Sequence, residues 1–168
     1  MTMFFVRTAG ERDLEKVRAL LVATWHATYD SYHGIGKVDE LTAKWHSLDA
    51  LRARLQRKNA EFVVADNGKE IAGMGFAAMS DTFPKTVILH QLYVLPKFQR
   101  QGIGRDMFAE LETCFPDAER MRLEVEPQNL HALAFYQAHG FSEVGTTPNC
   151  GDEQSGIPAL ILEKRLIR

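Results

Sequence analysis

The chain has 168 residues, enough for one domain with a closed core and too few for two ordinary ones. Its composition, 45% hydrophobic, 25% charged and 10% aromatic, excludes disordered, collagen-like and disulfide-dense chains. Twenty basic against twenty-two acidic residues leave a net charge of −2 with no basic run, so neither nucleic acid nor an anionic membrane is expected as a partner.

The opening Met1-Thr-Met-Phe-Phe-Val-Arg7 carries an apolar run too short for a signal-peptide core or a membrane span, which predicts a cytoplasmic protein. Thr8-Ala-Gly-Glu11 has capping-box spacing, and Leu14, Val17, Leu21, Thr24, Trp25 and Thr28 follow at helical period, predicting a helix to about Tyr29. Ser31 to Gly36 breaks it. Leu41, Trp45, Leu48, Leu51 and Leu55 then predict one or two short helices before Lys58. Glu61–Asp66 reads as a strand, Asn67-Gly68 as a hairpin turn, and Lys69–Met79 as the returning strand.

A loop over Ser80–Pro84 leads to an apolar strand, Thr86–Leu95, closed by Pro96. Ile103, Met107, Phe108, Leu111, Cys114 and Phe115 mark a helix that stops at Pro116. Met121-Arg-Leu-Glu-Val-Glu126 alternates, with Arg122, Glu124 and Glu126 on its polar side. Asn129 is placed to cap a helix through Phe135, and Gly140 to end it. Phe141–Thr147 and Ala159–Leu166 complete the strands, joined by a polar loop. Hairpins followed by strand–helix–strand units predict one mixed sheet. Cys114 reads as a small core residue. With Cys150 it forms no CxxC pair, and the six histidines are scattered, so no disulfide framework and no metal are expected.

The segment Gln99-Arg-Gln-Gly-Ile-Gly104-Arg105 lies between a strand and a helix. Two glycines separated by one residue let the backbone turn tightly, so that the N–H groups of the helix's first turn face one spot suited to a phosphate. A P-loop would need Gly-Lys-Ser/Thr where Gly104-Arg-Asp106 stands. A dinucleotide fingerprint would need a small residue at Met107 and a parallel βαβ opening that the Asn67-Gly68 hairpin contradicts. Gly73-Met-Gly-Phe-Ala-Ala78 matches the letters GxGxxA but sits inside a strand, where it reads as close backbone packing.

A third motif fits. Gln99, Gly102 and Gly104, after the strand Leu92-Tyr-Val-Leu-Pro96, resemble the coenzyme-A-binding signature Gln/Arg-x-x-Gly-x-Gly/Ala of the GNAT superfamily of N-acetyltransferases. Asn129-Leu-His-Ala-Leu-Ala-Phe-Tyr-Gln-Ala-His-Gly-Phe141 is similar to that family's second signature, and the two together cover nearly the whole chain. The resemblance implies a single α/β domain of α+β type over residues 1–168: a mixed, mostly antiparallel central sheet of about seven strands with helices on both faces. It also implies transfer of an acetyl group from acetyl-CoA directly to a primary amine of a small molecule or peptide, in a ternary complex without a metal. A homodimer is among the assemblies it allows.

Carried over, the backbone of Leu92, Tyr93 and Val94 would meet the pantetheine arm where the strand splays from its neighbour. The amides of Gln99, Arg100, Gln101, Gly102, Ile103, Gly104 and Arg105 would hold the pyrophosphate, with Asn129 as a further cofactor contact. Tyr136 would protonate the leaving thiolate, and its phenol would also touch the cofactor. An alkylamine with a pKa of about 10.4 must lose a proton before it attacks, and imidazole titrates near neutrality. His90 is therefore a candidate base, in a strand resembling that of arylalkylamine N-acetyltransferases. It reads equally as a hydrogen-bonded sheet residue, and Glu124, directly or through water, is the other candidate. Trp25, Tyr29 and Tyr32 resemble an acceptor-site wall, and Trp25 also reads as a core anchor. Asp30, Asp39 and Glu40 would favour a cationic acceptor or else be solvated. The loop from Pro148 to Pro158 would close one side of the acceptor pocket. The alternatives to an acetyltransferase are a non-catalytic acyl-CoA sensor of the same fold and an enzyme using a longer acyl-CoA.

Overall fold

The computed structural model describes residues 3–151 and 155–166, so the middle of the Pro148–Pro158 loop lies outside the described residues. Among the described residues seven strands form one sheet in the order β1-β2-β3-β4-β5-β7-β6. They are β1 Phe5–Thr8, β2 Ala60–Asp66, β3 Ile71–Met79, β4 Thr86–Val94, β5 Arg120–Val125, β6 Ser142–Thr147 and β7 Ala159–Arg165. The helices of the described residues are α1 Leu14–His33, α2 Ile35–Trp45, α3 Leu48–Gln56, α4 Ile103–Thr113 and α5 Leu130–Ala138. The sheet is mixed. β1–β2, β5–β7 and β6–β7 are antiparallel, and β4–β5 is parallel.

The chain forms two compact units, the first of residues 3–77 and 91–114, the second of 78–90 and 115–166. In the first, β2 and β3 are buried along almost their whole length, with Phe62 and Phe76 meeting edge to face. Arg7 clamps the start of this unit, bonded to Asp13 at 2.8 Å and Asp66 at 3.0 Å; its guanidinium holds the buried Asp13 carboxyl below the usual carboxylate range. In the second, β5 pairs with β7 along its full length, and Phe115, Met121, Leu123, Phe141 and Leu162 are buried.

Three local expectations are corrected. Thr8 belongs to β1, and the chain enters α1 through a 3-10 turn, Glu11–Asp13, where Asp13 Oδ2 accepts the Gly10 N–H at 2.8 Å. The first helix does not stop near Tyr29. It runs to His33, because Ser31 and Tyr32 are tolerated in a last turn, and breaks only at Gly34, whose φ of 83° no β-carbon favours. Cys114 is half-buried at the end of α4 rather than part of the core.

Candidate active site

The sequence reading of Gly73 and Gly75 as packing glycines holds. A β-carbon on Gly73 would lie 2.7 Å from the Met107 methyl and 2.9 Å from the Tyr93 carbonyl oxygen; one on Gly75 would lie 2.8 Å from a Leu111 methyl and 3.4 Å from Leu92. These contacts seat α4 against β3 and the end of β4. They also show that Leu92 points to the α4 side.

From β4 the chain passes a 3-10 turn, Pro96–Phe98, and enters the glycine turn. Gln99 donates its side-chain N–H to the Val94 carbonyl at 3.1 Å, tying the turn back to the strand. Arg100 and Gly102 both have positive φ, 65° and 81°, and Gly102 is the residue that opens α4. The left-handed pair bends the backbone so that the unbonded N–H groups of the first helical turn, at Ile103, Gly104 and Arg105, face outward from the turn. The Arg105 guanidinium folds over Gly102, 2.9 Å from where a β-carbon would stand, and Gln101, Arg100 and Arg105 are exposed. Positive dipole, oriented amides and guanidinium at one place fit a diphosphate.

β4 is irregular where a cofactor arm would need it to be. Ser80 N–H bonds to the Thr86 carbonyl, and Leu95 N–H to the Ala72 carbonyl, each at 2.8 Å. Between those rungs β3 advances eight residues, from Ala72 to Ser80, while β4 advances nine, from Thr86 to Leu95, so β4 carries an extra residue, as a β-bulge does. Its parallel pairing with β5 is short: Thr86↔Arg120, Val87↔Met121 and Ile88↔Arg122. The ladder ends there, although β4 continues to Val94 and β5 to Val125. Two residues beyond the last pair on each strand stand His90 and Glu124, the two candidate bases, both exposed.

In the second unit, Asn129 caps α5 as expected, its side-chain oxygen accepting the Ala132 N–H at 3.3 Å, and Gly140 ends the helix at φ 95°. Tyr136 is half-buried, its ring edge-on to Phe135 at 5.4 Å and to Phe141 at 5.5 Å. Glu124 Oε2 accepts the Gly151 N–H at 3.3 Å. Burial first, then the carboxylates of Glu124 and Glu126, push the Cys150 thiol up to about 12; burial with Glu61 and Glu110 pushes Cys114 up to about 11. Neither is a thiolate nucleophile near neutral pH.

The predicted acceptor wall divides. Trp25 and Tyr29 are buried, their rings tilted by 51° with centroids 4.8 Å apart, consistent with the core reading of Trp25, while Tyr32 is exposed. Asp30 and Asp39 are engaged with His26, whose Nδ1 lies 2.6 Å from Asp30 and Nε2 2.8 Å from Asp39. Sequence reasoning passed over His46 and Arg54, which the structure collects with Trp25 in the first unit. Arg54 Nη2 donates to the Trp45 carbonyl at 2.6 Å and lies 3.3 Å from His46 Nδ1, and the Trp25 and His46 rings meet edge to face at 5.5 Å. No sequence motif marks these residues. Among the described residues no group of three or more His, Cys, Asp or Glu side chains is placed to hold a metal ion, and no helix is long and apolar enough to cross a membrane.

The strand thus parts from its parallel neighbour and then feeds a left-handed glycine turn at a helix N-terminus. The family model for the acetyltransferase (GNAT) domain matches residues 27–165, and the chain belongs to that family. It is 33% identical over 97 residues to the N-alpha-acetyltransferase RimI of Mycobacterium tuberculosis; the match covers 57% of this chain and 61% of that protein's length. Among solved structures it resembles PaiA N-acetyltransferase from Thermoplasma acidophilum in complex with coenzyme A, with a TM-score of 0.84 and 20% identity over 97% of this chain and 99% of that one. It also resembles the ribosomal-protein-S18-alanine N-acetyltransferase of Escherichia coli, with a TM-score of 0.73 and 19% identity over 99% and 96%.

Proposed function

We propose that this protein is an acetyl-CoA-dependent N-acetyltransferase that acetylates a primary amine of a small molecule or peptide by direct transfer. The observation that carries this reading is the early end of the β4–β5 ladder at Ile88↔Arg122, followed within one strand length by the Gly102 turn. Acetyl-CoA, when bound, supplies an acyl carbon activated by a sulfur leaving group. The amides of Gln99 to Arg105, with the two arginines, take its diphosphate, and the backbone of Leu92, Tyr93 and Val94 takes the amide-bearing arm as an added strand would. A backbone N–H from the same strand stabilises negative charge gathering on the acyl oxygen.

The amine arrives mostly protonated and is neutralised by His90, or by Glu124 directly or through a water. Its nitrogen bonds to the acyl carbon as the carbon–sulfur bond breaks. Tyr136 gives its phenolic proton to the departing sulfur; the proton that the nitrogen sheds on becoming an amide restores the phenol, while the one taken first passes from the base to solvent. Asn129 holds the opening turn of α5, on which Tyr136 rides. The relatives named for N-alpha-acetylation and for a ribosomal-protein alanine support a peptide terminus among the acceptors.

The test is acceptor-dependent release of free thiol from acetyl-CoA across an amine panel. Release is expected; cofactor binding without release under any acceptor would instead favour a sensor. Tyr136→Phe is expected to lower kcat by about 100-fold or more with little change in cofactor affinity. An unchanged kcat removes the acid role. Of His90→Gln and Glu124→Gln, the variant that loses the alkaline-rising limb of the kcat/KM profile identifies the base.

A further inference from the structure

In the second unit the connection from β6 to β7 reaches one of the two candidate bases. β7 lies between β5 and β6 and runs antiparallel to both, so it enters the sheet where β5 ends, with Leu160 opposite Val125 and Ile161 opposite Glu124. The chain leading into β7 meets the end of β5. Cys150 marks the place, half-buried with its thiol in the field of Glu124 and Glu126. The next residue, Gly151, has a φ of 71°, and its backbone N–H donates to Glu124 Oε2 at 3.3 Å. Among the described residues this is the one hydrogen bond of the Glu124 side chain, and Oε1 has none.

Gly151 holds a carboxylate only as firmly as it is itself held. Two ties join the two sides of the loop immediately before it. The Cys150 N–H donates to the Ile157 carbonyl at 2.7 Å, and Asn149 Oδ1 accepts the Gly156 N–H at 2.9 Å, with Gly156 also left-handed at φ 69°. The Asn149 N–H donates to Thr147 Oγ1 at 3.2 Å, which anchors the asparagine to the end of β6. Its side chain thus spans the loop from the β6 side to the β7 side. An exposed glutamate samples several rotamers, whereas proton abstraction needs an oxygen kept within hydrogen-bond reach of the amine. A backbone donor moves only when its loop moves, so whatever closes the loop also fixes the carboxylate.

We propose that Asn149 is a positioning residue for proton removal: it closes the β6–β7 loop, the loop presents the Gly151 N–H, and that N–H fixes Glu124 Oε2 so that Oε1 takes the proton of the acceptor amine. In this step an N–H bond of the ammonium breaks, its electron pair stays on nitrogen, and the proton bonds to Oε1, from which it passes to solvent. Asn149 itself touches neither amine nor cofactor. Its side chain acts in the loop as an acceptor, so an aspartate serves in its place and an alanine does not. The inference rests on the acetyltransferase reading and, within it, on Glu124 as the base.

The experiment follows thiol release at saturating acetyl-CoA, with n-butylamine and a peptide beginning in alanine as acceptors, in wild type, Asn149→Ala, Asn149→Asp, Glu124→Gln and the double variant of Asn149→Ala with Glu124→Gln. Asn149→Ala is expected to lower kcat/KM for the amine about tenfold, and Asn149→Asp to restore it to within about threefold of wild type. In the Glu124→Gln background Asn149→Ala should change it by less than about twofold, because the effect has lost its route. An asparagine that merely supports the loop would cost the same in both backgrounds. That result overturns the proposal, as does a Glu124→Gln variant as active as wild type. A second reading needs no turnover: in amide NMR spectra of the full chain, the Gly151 resonance should shift as Glu124 is protonated in acid, stay still in Glu124→Gln, and lose most of the shift in Asn149→Ala. A Gly151 amide blind to acid in wild type overturns the proposal by itself, even if Asn149→Ala does not fold. An amide response without any thiol release would sink acetyl transfer, and with it the role in proton removal, while the clasp stands; release without coupling between Asn149 and Glu124 would do the reverse.

Discussion

The two faces of β4 are built on opposite principles. Toward α4, Gly73 and Gly75 leave no room for a β-carbon, and Met107, Leu111 and Leu92 fill the space at contact distance. Toward α1 and α3, the same strand faces Arg54, with His46 and Trp25 beyond it, where polar atoms are buried and unsatisfied. Close packing costs little to maintain and holds the strand and the glycine turn rigidly. Unsatisfied polar burial costs free energy in the folded chain.

That contrast breaks most visibly in acid. The buried His46 refuses the proton that the unfolded chain accepts, so its pKa is depressed from 6.5 to about 3. The unfolded state then binds more protons in this window, and stability falls as pH drops below 6.5, by up to about 1.4 kcal/mol per pH unit, levelling near pH 3. His46→Phe should flatten this acid limb in urea-midpoint measurements; an unaltered limb would mean that the ring is not held neutral.

Next in size is the packed face. Gly73→Val drives a side chain into Met107 and the Tyr93 carbonyl and is expected to cost about 1–3 kcal/mol, read as a lower melting temperature. Wild-type melting would show that the face has slack. Trp25→Phe probes the polar face with the opposite expectation. It removes an N–H that bonds to nothing, so stability should stay within about 1 kcal/mol of wild type; a loss of about 3 kcal/mol would reveal a partner.

The smallest effect belongs to His26, the solvent-side bridge from α1 to α2. Asp30 foremost, then Asp39, raises its pKa above 6.5, so its contribution is full below 6.5 and fades as pH rises through the raised value. His26→Ala should therefore destabilise the chain in acid and be neutral in base, the reverse of the His46 sign. A penalty independent of pH would show that the ring packs rather than bridges.

Much of the packed face was legible in the sequence. Gly73 and Gly75 inside a strand, the Gln99–Gly104 turn, and the Asn129 and Gly140 bounds of α5 are local signals that need only near neighbours, and the structure reproduces each. The start of α1 was misjudged because Asp13 answers to Arg7 and Gly10 rather than to a motif. The polar face was invisible for a stronger reason. In sequence, Arg54 is one more cation on an amphipathic helix and His46 a residue between two helices; their burial arises only when α1, α3 and β4 are brought together, and no period or motif encodes that. The sequence presents Trp25, Tyr29 and Tyr32 as a group, and the burial that separates the first two from Tyr32 is likewise tertiary.

The central claim is that the turn opened by Gly102 holds the diphosphate of acetyl-CoA. Calorimetric titration of wild type and Gly102→Val with acetyl-CoA tests it directly, since valine cannot adopt φ 81° without strain and would crowd Arg105. Saturable binding to wild type, weakened at least about tenfold in the variant while the second unit keeps its melting behaviour, is the expected result. Equal affinity in the two proteins, or no binding to wild type, would contradict the account.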